Sequence, residues 1–155
     1  MSAPLFAGLT NRASVVAQAI QTVLIDNQVA LGLTDVFYGD QDIIPRYPCV
    51  CVEVDLKSTP PTEVNPMTYG LNTFEILLIL YNSKIEDVDT LRLETDTLAE
   101  DIADVMHKDF RLTGLVTFGY VTTIQYGYVV KQGRLVRSAK LTWRAINKTP
   151  LLIPT

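Results

Sequence analysis

The sequence predicts an α+β domain. It has one mostly antiparallel sheet of four to five strands, two main helices packed on one face of it, and a long β-hairpin at the C-terminal end. Three observations predict this. Residues 11–26 and 87–109 repeat apolar side chains at helical spacing. Residues 49–57, 116–131 and 135–146 alternate apolar and polar side chains at strand spacing. Between the last two runs, Lys131-Gln132-Gly133-Arg134 is a turn signal.

Each element follows in order. In residues 11–26, Val15, Val16, Ala19, Ile20 and Val23 form the apolar stripe, Gln18 and Gln21 separate it, and Thr10 or Asn11 can cap the first turn. Gly32 ends that unit. Residues 35–38 are a short strand, Gly39-Asp40-Gln41-Asp42 is a turn, and Pro45 and Pro48 keep the next segment extended. In the strand 49–57, Val50, Val52, Val54 and Leu56 share one face, which meets the helices. Cys49, Cys51, Glu53 and Asp55 share the other, which is expected to turn toward a second subunit.

Residues 58–71 contain Pro60-Pro61, Asn65-Pro66 and Gly70 with almost no periodicity, so they predict a long loop or a protruding hairpin tip. Loops of this length in a small domain usually serve a function. Residues 72–82 form the next strand, apolar on both faces from Ile76 to Leu80 and therefore central. In the long helix 87–109, Val88, Leu91, Leu98, Ile102, Val105 and Met106 share a face, and Ala99 and Ala103 allow close packing. Glu86, Asp87 and Asp89 suit its positive end, His107 and Lys108 its negative one. In the hairpin, Phe118, Tyr120, Thr122, Ile124, Tyr126 and Tyr128 read as one alternating row. Its second strand puts Leu135, Ala139, Leu141 and Trp143 on one face and Arg134, Lys140 and Arg144 on the other. The single domain is expected to span residues 1–148, with an extended tail at 149–155 that needs a partner or stays loose.

The composition excludes several function classes. With 155 residues, 48% hydrophobic and 19% charged, the chain suits one well-buried domain. A net charge of -4 argues against broad nucleic-acid binding, which displaces counterions with excess Lys and Arg. The first residues lack a basic stretch followed by an apolar run, and the longest apolar run, Ile76 to Tyr81, is far short of the roughly 20 residues of a membrane helix. The expectation is a soluble, cytoplasmically assembled protein that does not engage membranes.

Catalytic and metal chemistry find little support. Cys49 and Cys51 fall on one strand face, but a zinc site takes about four ligands and this chain has two Cys and one His. The C-x-C spacing also differs from the C-x-x-C redox motif. Asp40 and Asp42 lack the rest of a calcium loop. His107 has no nucleophile motif to serve, and no phosphate-binding or dinucleotide-binding glycine pattern occurs. No enzyme activity, metal or cofactor is expected. Asp96, Glu100 and Asp104 recur at helical turns, either as a solvated helix face or as an acidic wall facing a partner or channel. Arginine and tyrosine on the hairpin are interface-type residues. Long hairpin edges invite pairing with another chain. Together they favour an assembly subunit.

With its segments laid out, the chain resembles the tail-terminator (tail-completion) proteins of tailed bacteriophages. The resemblance spans roughly residues 10–148. It rests on the order helix, strand, strand, long loop, strand, helix, β-hairpin. It also rests on DVFYGDQDIIPRYPCVCVEVD at 35–55, which looks like that family's Gly turn, Ile-Pro, Tyr-Pro and Val-rich strand. The resemblance implies a structural virion protein that forms a homohexameric ring. Such a ring caps the tail tube, ends its elongation and joins the tail to the head or neck. Its implied partners are its own copies, the tail tube protein, and the sheath and head-tail connector or neck proteins. DNA passes through the ring without specific binding. Under this reading Thr62, Glu63, Asn65 and Tyr69 reach a neighbouring subunit or the tube, Arg134, Arg137, Lys140 and Arg144 meet acids of an adjacent chain, and Asp96, Glu100 and Asp104 face the lumen. Two alternatives stay open: a head-tail connector or neck subunit of the same virion, and a small metal-binding module or enzyme built on Cys49 and Cys51.

Overall fold

Six consecutive apolar residues, Ile76 to Tyr81, can be buried in a sheet only where both faces are covered and both edges are paired. In the computed structural model, which describes residues 12–58, 69–83 and 88–150, that run lies in the central strand. The elements are α1 (Ala13–Asp26), a short α2 (Gln28–Leu31), β1 (Asp35–Tyr38), β2 (Cys49–Ser58), β3 (Tyr69–Asn82), α3 (Val88–Lys108), a 3-10 turn (Leu112–Gly114), β4 (Phe118–Lys131) and β5 (Arg134–Pro150). The strands lie in the order β1-β2-β3-β5-β4. The first pair is parallel and the other three antiparallel. The chain is therefore α+β with a C-terminal hairpin and its helices packed against the sheet.

The main core lies between the sheet and the two longer helices. Phe74, Ile76, Leu78 and Leu80 of β3 meet Val16, Ala17, Ile20 and Leu24 of α1 and Ala99, Ile102, Ala103 and Met106 of α3. Each fully buried large side chain contributes roughly 1.5–3 kcal/mol by leaving water. Trp143 of β5 is the largest of them. A methyl group on Gly119 of β4 would overlap its ring, so only glycine fits there. α1 sits about one residue around from the stripe read in the sequence, whereas α3 buries the expected Leu91, Ala99, Ile102, Ala103 and Met106 and adds Thr95. Val15, Ala19 and Val23 are only half-buried, Val88 is exposed, and Ala17, Thr95 and Ala99 point inward. Buried Thr95 satisfies its hydroxyl by donating to the Leu91 carbonyl, 2.7 Å away.

The strands run further than their sequence signals. β3 takes in Tyr69 to Leu71 from the expected loop, and β2 takes in Ser58. The expected tail starts as strand: Lys148, Thr149 and Pro150 pair with Leu71, Gly70 and Tyr69. The suggested caps Thr10 and Asn11, the acids Glu86 and Asp87, and residues 151–155 lie outside the described residues.

Two bulges change which way side chains face. In β2 the register shifts between Val54 and Leu56, so Leu56 leaves the valine face and joins the Cys49 side. In β4 it shifts between Val121 and Thr123. Tyr120 therefore pairs with Arg144 on the face away from the helices, while Tyr126 and Tyr128 pair with Ala139 and Arg137 on the helix face. The single tyrosine row expected from alternation is split by the extra residue Thr122.

Candidate functional site

The second face of the sheet carries the surface on which any assembly reading depends. Half of it is closed by the chain itself. Residues 39–48 fold back across the sheet near the hairpin turn. Ile44 and Tyr47 pack with Cys49, Cys51, Ile79, Tyr81 and Val136 in a second, smaller core. Polar contacts pin this flap. Tyr81 Oη donates to Asp40 Oδ1 at 2.7 Å, and Lys131 Nζ donates to the Gln41 carbonyl at 2.8 Å and lies 3.4 Å from Asp40 Oδ1. The Arg134 guanidinium stacks 5.7 Å from the Tyr47 ring centre. Burial, the hydrogen bond to Asp40 and that carboxylate's charge all push the Tyr81 phenol above its ordinary 10.0.

The flap corrects the expectation that Cys49 and Cys51 face another subunit. Both are free thiols with no exposed surface. Their hydrogen bond to each other, together with burial, raises Cys49 well above the usual thiol range. Among the described residues no third His, Cys, Asp or Glu joins them in a metal-holding group.

The other half of this face is open. Phe118 and Tyr120 of β4 stand there in ring contact, 5.2 Å between centroids, with Phe110 5.5 Å from Phe118. Ile146, opposite Phe118, is exposed beside them, and Leu56 is exposed on β2, with Glu75 and Arg144 between it and Tyr120. Lys140 and Arg144 of β5 project on the same side, paired in register with Gln125 and Tyr120 of β4. Among the described residues neither makes an ion pair.

The proposed contact residues thus divide. Lys140 and Arg144 are exposed on the open face. Arg134 is exposed but spends its side chain on Tyr47. Arg137 is a correction. It is 8% exposed, lies on the helix face, donates to both carboxylate oxygens of Asp96 at 3.1 and 3.2 Å, and stacks on Tyr128 at 4.9 Å and Tyr126 at 5.7 Å. Its guanidinium is thus held within the chain by Asp96. Its odd position, shared with Leu135, Ala139 and Leu141, already placed it toward the helices. What alternation could not supply was the partner on α3. Asp96 is consumed by the same pair, which leaves Glu100 and Asp104 exposed on α3. Burial, then Glu100 and Asp96, raise the Tyr126 phenol above its ordinary value. Tyr69 begins β3, opposite Pro150. Thr62, Glu63 and Asn65 lie outside the described residues.

A groove of about 730 Å³ lies between α2, α3 and the end of β3, lined by Leu31, Tyr47, Asn82, Leu93, Leu98 and Asp101 among others. Ser83, Thr97 and Glu94 line it as well. His107, at the end of α3, uses its Nε2 to accept the Val121 N–H at 3.1 Å. No helix of the described residues is long and apolar enough to cross a membrane. Comparison with known proteins finds no family model and no curated protein that matches the chain.

Proposed function

We propose that this chain is a structural virion protein of a tailed phage, and that six copies form a ring that caps the tail tube, ends its elongation and joins the tail to the head or neck. The observation that carries the reading is the open half of the sheet's second face. A chain that builds a dedicated flap over one half of that face leaves Phe118, Tyr120, Leu56 and Ile146 exposed on the other, together with Lys140 and with Arg144, whose cross-strand neighbour is Glu75. Exposed aromatic and apolar side chains beside arginine are what a protein interface uses. The resemblance of the element order and of residues 35–55 to tail terminators gives that interface its setting. The exposed acids Glu100, Asp101 and Asp104 of α3 suit a wall that DNA slides past, because carboxylates repel phosphates.

The test is to add the purified protein to its tail tube protein during polymerisation and measure tube lengths by electron microscopy. Capped tubes of arrested length, with a ring at one end, support the reading. Tubes that grow equally long and bare at both ends overturn it.

A further inference from the structure

The strand β4 is the last in the sheet, and much of its outer edge has no partner among the described residues. The turn at 131–134 has Gln132 and Gly133 both at positive φ, 54° and 71°, as a two-residue hairpin turn requires. In such a hairpin the residues flanking the turn exchange hydrogen bonds, and the pattern alternates from there. Lys131, Val129, Gly127 and Gln125 then point their backbone groups at β5, whereas Val130, Tyr128, Tyr126 and Ile124 point theirs outward. No backbone hydrogen bond from elsewhere in the described chain reaches those four. The start of the strand differs. Gly119 N–H donates to the Phe110 carbonyl at 2.7 Å and Val121 N–H to His107, so the chain caps its own edge there.

Natural edge strands defend themselves with charges, prolines or short length. From Phe118 to Val130 there is no charge and no proline. The opposite edge is better defended: β1 is four residues long, and beyond it β2 carries Glu53, Asp55 and Lys57; both β2 and β4 hold a bulge, that of β4 at Thr122, before the stretch 124–130. An undefended stretch in a sheet whose other edge is defended is a strand with an intended partner.

We infer that the outer edge of β4 pairs antiparallel with the β1–β2 edge of a second copy of this chain, so that the sheet continues head to tail from subunit to subunit. This rests on the ring reading and names the joint within it. Charge selects the occupant. No acid occurs after Asp109, while Arg111, Lys131, Arg134, Arg137, Lys140, Arg144 and Lys148 do. The β1–β2 edge carries Glu53 and Asp55 against Lys57, together with Asp35, which pairs with Arg46 at 2.9 Å. Two β4 edges brought together would set basic hairpin against basic hairpin. A β4 edge against a β1–β2 edge sets Lys140 and Arg144 near Glu53 on the same side of the sheet. Strand direction agrees, since β4 runs opposite to both β1 and β2. Each copy owns one edge of each kind, which is the condition for a head-to-tail interface that closes on itself.

The experiment uses charge exchange and native mass spectrometry of the full chain. One variant carries Lys140→Glu and Arg144→Glu, the other Glu53→Lys and Asp55→Lys. Thermal melts of each check that the folds are kept. Each variant alone should lose self-association by roughly tenfold or more, since its joint now opposes like charges. Mixed one to one, they should regain the wild-type mass as an alternating assembly, because both kinds of joint are complementary again. If wild type assembles while either variant alone keeps its mass, or the mixture stays apart, the joint is wrong and the ring reading stands. In particular, the Glu53→Lys, Asp55→Lys variant assembling alone would indicate β4 against β4. If wild type itself stays a monomer, the ring reading falls and takes this joint with it.

Discussion

Tyr81 connects the centre of the sheet to the flap through one hydrogen bond to Asp40. Its phenol is raised above 10.0 in the folded chain, chiefly by burial and then by Asp40. The unfolded chain therefore loses this proton first as pH rises. The stabilisation is intact below about pH 10 and drains away above it. In urea melts between about pH 8 and 11, wild type should lose stability with a steeper slope than Tyr81→Phe, which gives up about 1 kcal/mol at neutral pH. Equal slopes would contradict this account of the contact. At this scale some of the molecule was legible in the residues. That Cys49 and Cys51 belong to a strand followed from alternation alone. That residues 39–48 bury them did not, because nothing local to Ile44 or Tyr47 says which surface they will cover.

Among the elements, α3 is tied to the hairpin by Asp96 and Arg137, with Tyr126 and Tyr128 stacked around the guanidinium. Removing Asp96 leaves the nearly buried Arg137 unpaired, whereas removing both does not. Asp96→Ala should cost about 1–3 kcal/mol. With Arg137→Met added, the double variant should be more stable than the sum of the single losses, by roughly 0.5–3 kcal/mol of coupling. Additive losses in chemical denaturation would show that the pair is incidental. The positions of α3 and the strands were readable from periodicity. The bulges at Asp55 and Thr122 were not, since one extra residue leaves composition and spacing intact yet inverts every side chain beyond it. That inversion is why Tyr120 and Tyr126, three alternations apart in a simple reading, end on opposite faces.

For the whole molecule, the asymmetry that matters is between the two ends of the sheet. One end is short and charged; the other is long, uncharged from Phe118 to Val130 and flanked by bases. The absence of acids after Asp109 is a fact of the sequence, but it acquires meaning only once β4 is known to be outermost and β5 is known to lie between β3 and β4. Two different edges and one half-open face are what the proposed head-to-tail ring requires. The most direct test is the native mass of the purified wild-type protein across a concentration series. The account predicts an assembly of roughly six times 17.3 kDa, weakened by added salt as joints with complementary charge should be. A mass that stays at 17.3 kDa at every concentration would contradict it.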